Sequence, residues 1–387
     1  IDTLDAGATA TIDAGAAEID TTTAAGALDV ATTTRAGVDG HQRFGTVTAH
    51  APATFAADGA FEARRVETTA GGVDIDAASA TLTDADAAKT LSVTTGGAQD
   101  HENLHAGGAM TLDAGGPLAW AIATGDAALD ATAAGAITAG AATDPDVDAG
   151  ETVFADAIGI DGEANVDLDG PVRSTGGNIA LSAADALTAE GVDAESGALT
   201  VTDTTTAALT DGDAATTLSV TTSGDQDHGT LRAGDDLTLT AASGPVRVAD
   251  LEAGTGAVDV DATKAVLGRA AAGAAMDVTT SGMQDHGTLT AAGPMTLTAG
   301  GSLEWAVATG DARLAAAADG PITAGAGTDA GIDSGETTFA GAIDIDGESD
   351  VDLNAPVLST AGDITLSAAQ ALTAEQVHAE SGSLTVT

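Results

Sequence analysis

Between Leu199 and Leu239 three apolar-polar-apolar triplets follow one another: Leu199-Thr200-Val201, Leu218-Ser219-Val220 and Leu237-Thr238-Leu239, with starts 19 residues apart. Alternation over three residues puts the first and third side chains on one side of a strand and the middle one on the other. Its return at a fixed short period is the mark of stacked coils. The same pattern is present at Leu28 and becomes regular from Val73, running through Leu91, Met110 and Leu129, a weaker strand near Val153, then Val166 and Ile179. Beyond Leu239 it continues through Val258, Met276, Met295, Leu314, Val351, Ile364 and Leu384. Gly and Asp cluster between the triplets, where turns need them. The expectation is an all-β chain wound as a parallel β-helix (β-solenoid), with about 18–20 residues per coil and about 20 coils in all.

The middle position of each triplet is expected to face water. That column reads Asp29, Asp74, Ser92, Thr111, Asp167, Thr200, Ser219, Thr238, Asp259, Asp277, Thr296, Asp352, Thr365 and Thr385. Thr suits an exposed strand and pairs with Thr or Ser on the next rung, whereas Asp directly over Asp is unfavourable. Asp259 and Asp277 are expected to be such neighbours.

A longer repeat overlies the short one. Residues 111–202 align without a gap to 296–387, an offset of 185, with 63 of 92 positions identical. Trp120 maps to Trp305, Phe154 to Phe339 and Pro171 to Pro356. Counting triplets gives ten coils per repeat, and at about 4.8 Å per strand a repeat is roughly 48 Å long. The whole, residues 1–387, reads as one continuous solenoid segment, an internal fragment of a longer repetitive chain. The segment around His41, Arg43 and Phe44 is irregular and resists assignment to coils.

Composition first argues against this picture. Leu, Ile, Val and Phe make up 71 of 387 residues, below the roughly 20% at which high net charge signals disorder. The regular spacing of those few large residues answers the objection, since a narrow solenoid needs only a few per coil, each coil burying its faces against two neighbours. The net charge of −48, from 59 acidic and 11 basic residues, argues against nucleic acid and anionic membranes as partners. It also makes the chain repel itself unless salt intervenes; at 1 M salt the Debye length is about 3 Å. With Lys89 and Lys264 as the only lysines, the balance points to a high-salt habitat. Without cysteine, disulfides and thiolate metal sites are excluded. No apolar run approaches the roughly 18 residues a membrane helix needs.

Three features invite chemistry. Gln99-Asp100-His101 recurs as Gln226-Asp227-His228 and Gln284-Asp285-His286, each His nine residues before the next triplet and so at one azimuth of the coil. His and Asp are zinc ligands and a proton-transfer pair. His228 and His286, however, are about three coils apart, roughly 14 Å, too far for one ion, and a structural turn is the expected role. Asp144, Asp146, Asp148 and Glu151 alternate carboxylates in the manner calcium favours, although the second copy keeps only Asp329, Asp333 and Glu336. A calcium loop and a solvated acidic loop both remain open, the latter favoured. Trp120 and Trp305 are either sugar platforms or core fillers, and their apolar flanks favour the core. No catalytic or cofactor-binding residue is assigned. A polysaccharide lyase or glycosidase would need carboxylates and a basic residue in one groove, but Arg173 becomes Leu358 in the second copy, and near-copy repetition is the opposite of a unique active site.

The tandem stretches Gly177-Asn178-Ile179-Ala180-Leu181-Ser182-Ala183 and Gly362-Asp363-Ile364-Thr365-Leu366-Ser367-Ala368 resemble the repeat region of filamentous-haemagglutinin-like bacterial exoproteins. The resemblance implies a right-handed parallel β-helix that holds an adhesive or toxic tip away from the cell. The expected function is therefore a non-enzymatic rod, stalk or filament of a secreted or cell-surface adhesin. Its expected partners are further coils, homotypic filament contacts and a surface or carbohydrate receptor, and calcium is the one cofactor to consider. A carbohydrate-active enzyme and a calcium-dependent matrix module are the alternatives.

Overall fold

Alternation of apolar and polar residues at the strand period produces what it predicts. A computed structural model describes residues 1–34, 39–140, 150–325 and 335–387, and these contain 41 strands, every pairing between them parallel. The described residues form a β-solenoid of about 19 turns without helix. The chain divides into two compact units, residues 1–197 and 198–387.

In the second unit a turn has three arms. One example has a first arm at Met276–Thr280 and a longer strand, Gln284–Ala291, that supplies the second and third. The long strand bends at Gly287-Thr288, where two successive residues face away from the core and the inward phase resets. The bend explains a glycine. A Cβ at Gly287 would lie 2.2 Å from the carbonyl oxygen of Gly268 in the turn beneath. Turns stack in register: Val258, Met276, Met295 and Leu314 lie on one inward column and Val260, Val278, Leu297 and Ala316 on the next. The first unit repeats the plan, with Val73, Leu91, Met110 and Leu129 stacked inward. Where its early turns carry Ala in place of Leu, three rings fill the space: Phe44, Phe55 and Phe61, with centroids 4.9–5.9 Å apart. The irregular segment around His41 resolves into the strand Gln42–Ala49.

First arms open at Ala10, Leu28, Ala53, Val73, Leu91, Met110, Leu129, Ile158 and Ile179 in the first unit. In the second they open at Leu199, Leu218, Leu237, Val258, Met276, Met295, Leu314, Ile343, Ile364 and Leu384. Within each unit the steps are 18–21 residues, except for 25 at Leu28 and 29 at Leu129 and Leu314. From Met110 to Met295 there are thus nine turns, not ten. Three of the expected triplets do not begin turns. Val153 points outward on a third arm, and Val166 and Val351 open second arms; the first arms of those turns start at Ile158 and Ile343. The two 29-residue turns are long because they include residues 141–149 and 326–334, and the extra step in the expected count comes from Val153 and Val166 standing where the one first arm at Ile158 does.

The outward column is as expected, with every middle-position residue from Asp29 to Thr385 exposed or half-buried. Asp259 and Asp277 are direct register partners. Partial burial, then the charges of Asp277 and Asp261, raise the Asp259 carboxyl above its ordinary value. Replacing Asp277 by Thr, which matches Thr296 above it, is expected to stabilise the protein by up to about 1 kcal/mol in 0.1 M salt. The gain should shrink in 1 M salt as screening removes the repulsion; urea midpoints at the two salt concentrations check it.

Candidate functional site

The repeated Gln-Asp-His segment is not a turn. It begins a strand in each copy, so Gln and His point inward while Asp points out. The inward placement changes its chemistry. Gln284 Nε2 donates to the carbonyl of Val278 in its own turn at 2.9 Å and to that of Thr298 in the next at 2.7 Å. Gln99 does the same to Val93 and Asp113, at 3.0 and 2.7 Å, and Gln226 to Val220 and Thr240, at 3.2 and 2.8 Å. The amide therefore ties two successive first arms together, as a side-chain donor to carbonyls that lie within the inter-turn ladder. The Gln oxygen then accepts from His Nε2–H two residues on, at 3.1 Å for His101 and His286 and 3.4 Å for His228.

That bond assigns the tautomer and leaves Nδ1 as an acceptor. In His228 it receives the backbone N–H of Leu209 at 3.1 Å, where the ladder to the preceding turn omits Leu209. In His101 and His286 it has no partner; these rings lie in register between Leu82 and Trp120, and between Leu267 and Trp305. Burial pushes the pKa down to about 3 for His101 and His286 and about 4 for His228. All three are neutral and closed to water at pH 7, so they do not exchange protons with an external substrate.

A fourth clasp lacks the histidine. Gln42 Nε2 donates to Val30 O at 3.2 Å and Ala56 O at 2.7 Å, with Phe44 in the His position. A sequence pattern keyed to His misses it, because Phe44 takes that position. Gln was the constant element, and the signal was Gln two residues before a large inward ring. Threonine and serine close the corners that follow the first and third arms. Thr95, Thr222 and Thr280 hydroxyls donate to the carbonyl two residues on, and Ser174 and Ser359 both donate to and accept from Gly177 and Gly362.

Trp120 and Trp305 are buried to 1% and 0% exposure, so they are core residues and not platforms. Each indole N–H donates to a hydroxyl across 32 residues, Thr152 or Thr337, at 2.9 Å. Gly140 and Gly325 have φ of +80° and +77°, which favour glycine, and their N–H groups bond the carbonyls of Trp120 and Trp305 at 2.9 Å. Of the calcium candidates, Asp144, Asp146 and Asp148 lie outside the described residues, as do Asp329 and Asp333. Glu151 and Glu336 are exposed. Among the described residues, no three His, Asp or Glu side chains gather as a metal site. Arg173 sits outward on a third arm in a salt bridge with Glu195 and 3.9 Å from Asp193, a surface arrangement that Leu358 abolishes in the second repeat.

Compared with models of protein families, with curated proteins and with solved structures, the chain matches none. The architecture is established by its own geometry: this is a β-helical repeat protein.

Two outcomes follow from the clasp. Gln284→Leu is expected to cost about 1–3 kcal/mol, because the bridge between two first arms is lost and the His286 N–H is left buried without its partner; thermal or urea denaturation measures it. A histidine with a folded pKa near 3 and an unfolded one near 6.5 contributes stability that is complete above about pH 6.5 and is lost as pH falls towards 3. For His286 the loss between pH 7 and pH 5 is about 2 kcal/mol. His286→Leu should make the urea midpoint less dependent on pH over that interval, whatever it does to stability at pH 7.

Proposed function

We propose that the chain is a non-catalytic shaft: a rod-forming stretch of a secreted or cell-surface exoprotein of the filamentous-haemagglutinin-like kind, working in high salt. One observation carries the reading. The residues most able to do chemistry or recognition, the Gln-His pairs and the tryptophans, are spent inward on holding turns together, and the repeat lengthens the stack without building a unique groove. A duplicated stack of turns serves length and stiffness, as solenoids do generally. The acidic surface supports a saline setting, because screening removes most of its self-repulsion. Adhesion or matrix building would then belong to the larger protein that such a shaft carries, and the receptor to its tip.

A carbohydrate-active enzyme would place several carboxylates and a base on one accessible wall. The Arg173, Asp193 and Glu195 group is the nearest arrangement of that type, and its loss in the second repeat favours the shaft. A calcium-dependent module rests on the carboxylates near Glu151.

Electron microscopy of the purified chain in 2 M salt, with and without chelator, tests the proposal. Thin rods of constant width in both conditions are the expected result. Compact particles would overturn the shaft, and rods that shorten or melt in chelator would transfer the function to calcium.

A further inference from the structure

One corner of the first unit is built unlike its counterparts. At the end of a first arm, the hydroxyls of Thr95, Thr222 and Thr280 donate to the carbonyls of Gly97, Gly224 and Gly282, two residues on. Thr32 makes the same bond to Gly40, eight residues on, so this corner holds six residues more than the others. It ends in Asp39-Gly40-His41, and the second arm begins at Gln42. The position just before the clasp glutamine is Ala98, Asp225 or Met283 in the other turns; here it is His41.

The His41 ring is half-buried and lies between two carboxylates. Nδ1 meets Asp39 Oδ1 at the end of the long corner, and Nε2 meets Glu18 Oε1 at 3.0 Å on the second arm of the turn beneath. A neutral imidazole has one N–H to give, and its other nitrogen would face a carboxylate as one acceptor faces another. Both contacts are satisfied together only by the imidazolium. Two other charged groups border the site. Arg43 puts Nη1 3.9 Å from Glu18 Oε1, but its closer partner is Glu62 of the turn above, at 2.7 Å from Nε. Asp58, also in the turn above, accepts the backbone N–H of Thr34 at 2.8 Å and so holds the start of the corner, not its end. The other described surroundings of histidine differ: His50 and His105 meet threonine hydroxyls, and the three inward rings meet glutamine.

We propose that His41 is a proton-operated latch: as the imidazolium it pins the end of the long corner to Glu18 of the turn beneath, and on losing its proton in alkali it releases that end. Hydrogen bonding to Asp39, then to Glu18, raises the His41 pKa above its ordinary value, and the same bond from His41 lowers that of Asp39. A folded pKa above the unfolded value of about 6.5 contributes stability that is complete below about pH 6.5 and is lost as pH rises through the folded value. This is opposite in sign to the buried histidines, which weaken the fold in acid. The latch acts at one corner, whether or not the chain serves as a shaft.

A titration followed by NMR of the protein labelled with carbon-13 at histidine Cε1 resolves the seven histidines, and His41→Ala assigns the resonance. That variant keeps a native kind of corner, since Ala98 fills the same place in another turn. His41 is expected to titrate above about pH 6.5, and Glu18→Gln, with circular dichroism confirming the fold, to bring its midpoint back towards that value. Amide protection over residues 39–44, as exchange relative to the unfolded chain, is then compared between wild type and His41→Ala. Exchange is expected to be about threefold to fivefold slower in the wild type at pH 6, the effect of an exposed ion pair, and equal in the two once the pH passes the His41 midpoint. A midpoint at or below the ordinary histidine value, or one that Glu18→Gln leaves in place, overturns the latch. So does a difference in protection that is the same on both sides of the midpoint, which would mark His41 as a packing residue.

Discussion

In-register parallel stacking is the constraint on which everything else in this molecule depends. Each residue of a turn sits about 4.8 Å above its counterpart in the turn beneath, so whatever an azimuth requires, it requires in nearly every turn. An inward azimuth must be apolar or be satisfied by hydrogen bonds. An outward one stacks like on like, because the repeat that builds the coil also repeats its surface. Val258, Met276, Met295 and Leu314 show the favourable side of this rule. Asp259 above Asp277 shows the unfavourable side.

The rule accounts for the lean composition. Large side chains are needed only on inward columns, and Ala, Gly and Thr suffice elsewhere, with glycine demanded where one turn's carbonyl reaches the next turn's Cα, as beneath Gly287. It also accounts for the interior polar groups. A coil must turn corners, corners break the ladder, and a broken ladder leaves buried backbone groups that need partners. His228 supplies an acceptor for the stray N–H of Leu209, while Gln42, Gln99, Gln226 and Gln284 bridge the carbonyls of successive first arms. Histidine in these positions is a neutral structural group, and its cost appears only in acid.

Charge plays the complementary role. Cross-turn ion pairs are few, and they gather where basic residues occur: Arg43 with Glu62 at 2.7 Å and Arg65 with Asp84 at 3.3 Å in the first unit, Arg269 with Asp250 at 3.5 Å in the second. Elsewhere carboxylates stand mostly against Thr, Ser or Ala and in places against each other, as at Asp259 with Asp277 and Asp285 with Glu304, and solvent ions must do what lysine and arginine do on an ordinary surface.

The sequence by itself determined the fold class, the coil period, the outward column and the duplication, because all four are written in the alternation of residue types along one strand and its recurrence. It also placed Trp120 and Trp305 in the core from their apolar flanks. It did not determine which triplets begin a turn. Val166 and Ile158 look alike in a local window, and only their register, with Ile137 and Leu129 respectively, assigns them to second and first arms. Nor did it reveal that Gln99, Gln226 and Gln284 bridge successive turns, since their partners lie 6 residues before and 14 after, on a different arm. Those distances close only when the coil has wound, so the hydrogen-bonding role of a side chain, unlike its side of the strand, was decided by the tertiary structure alone.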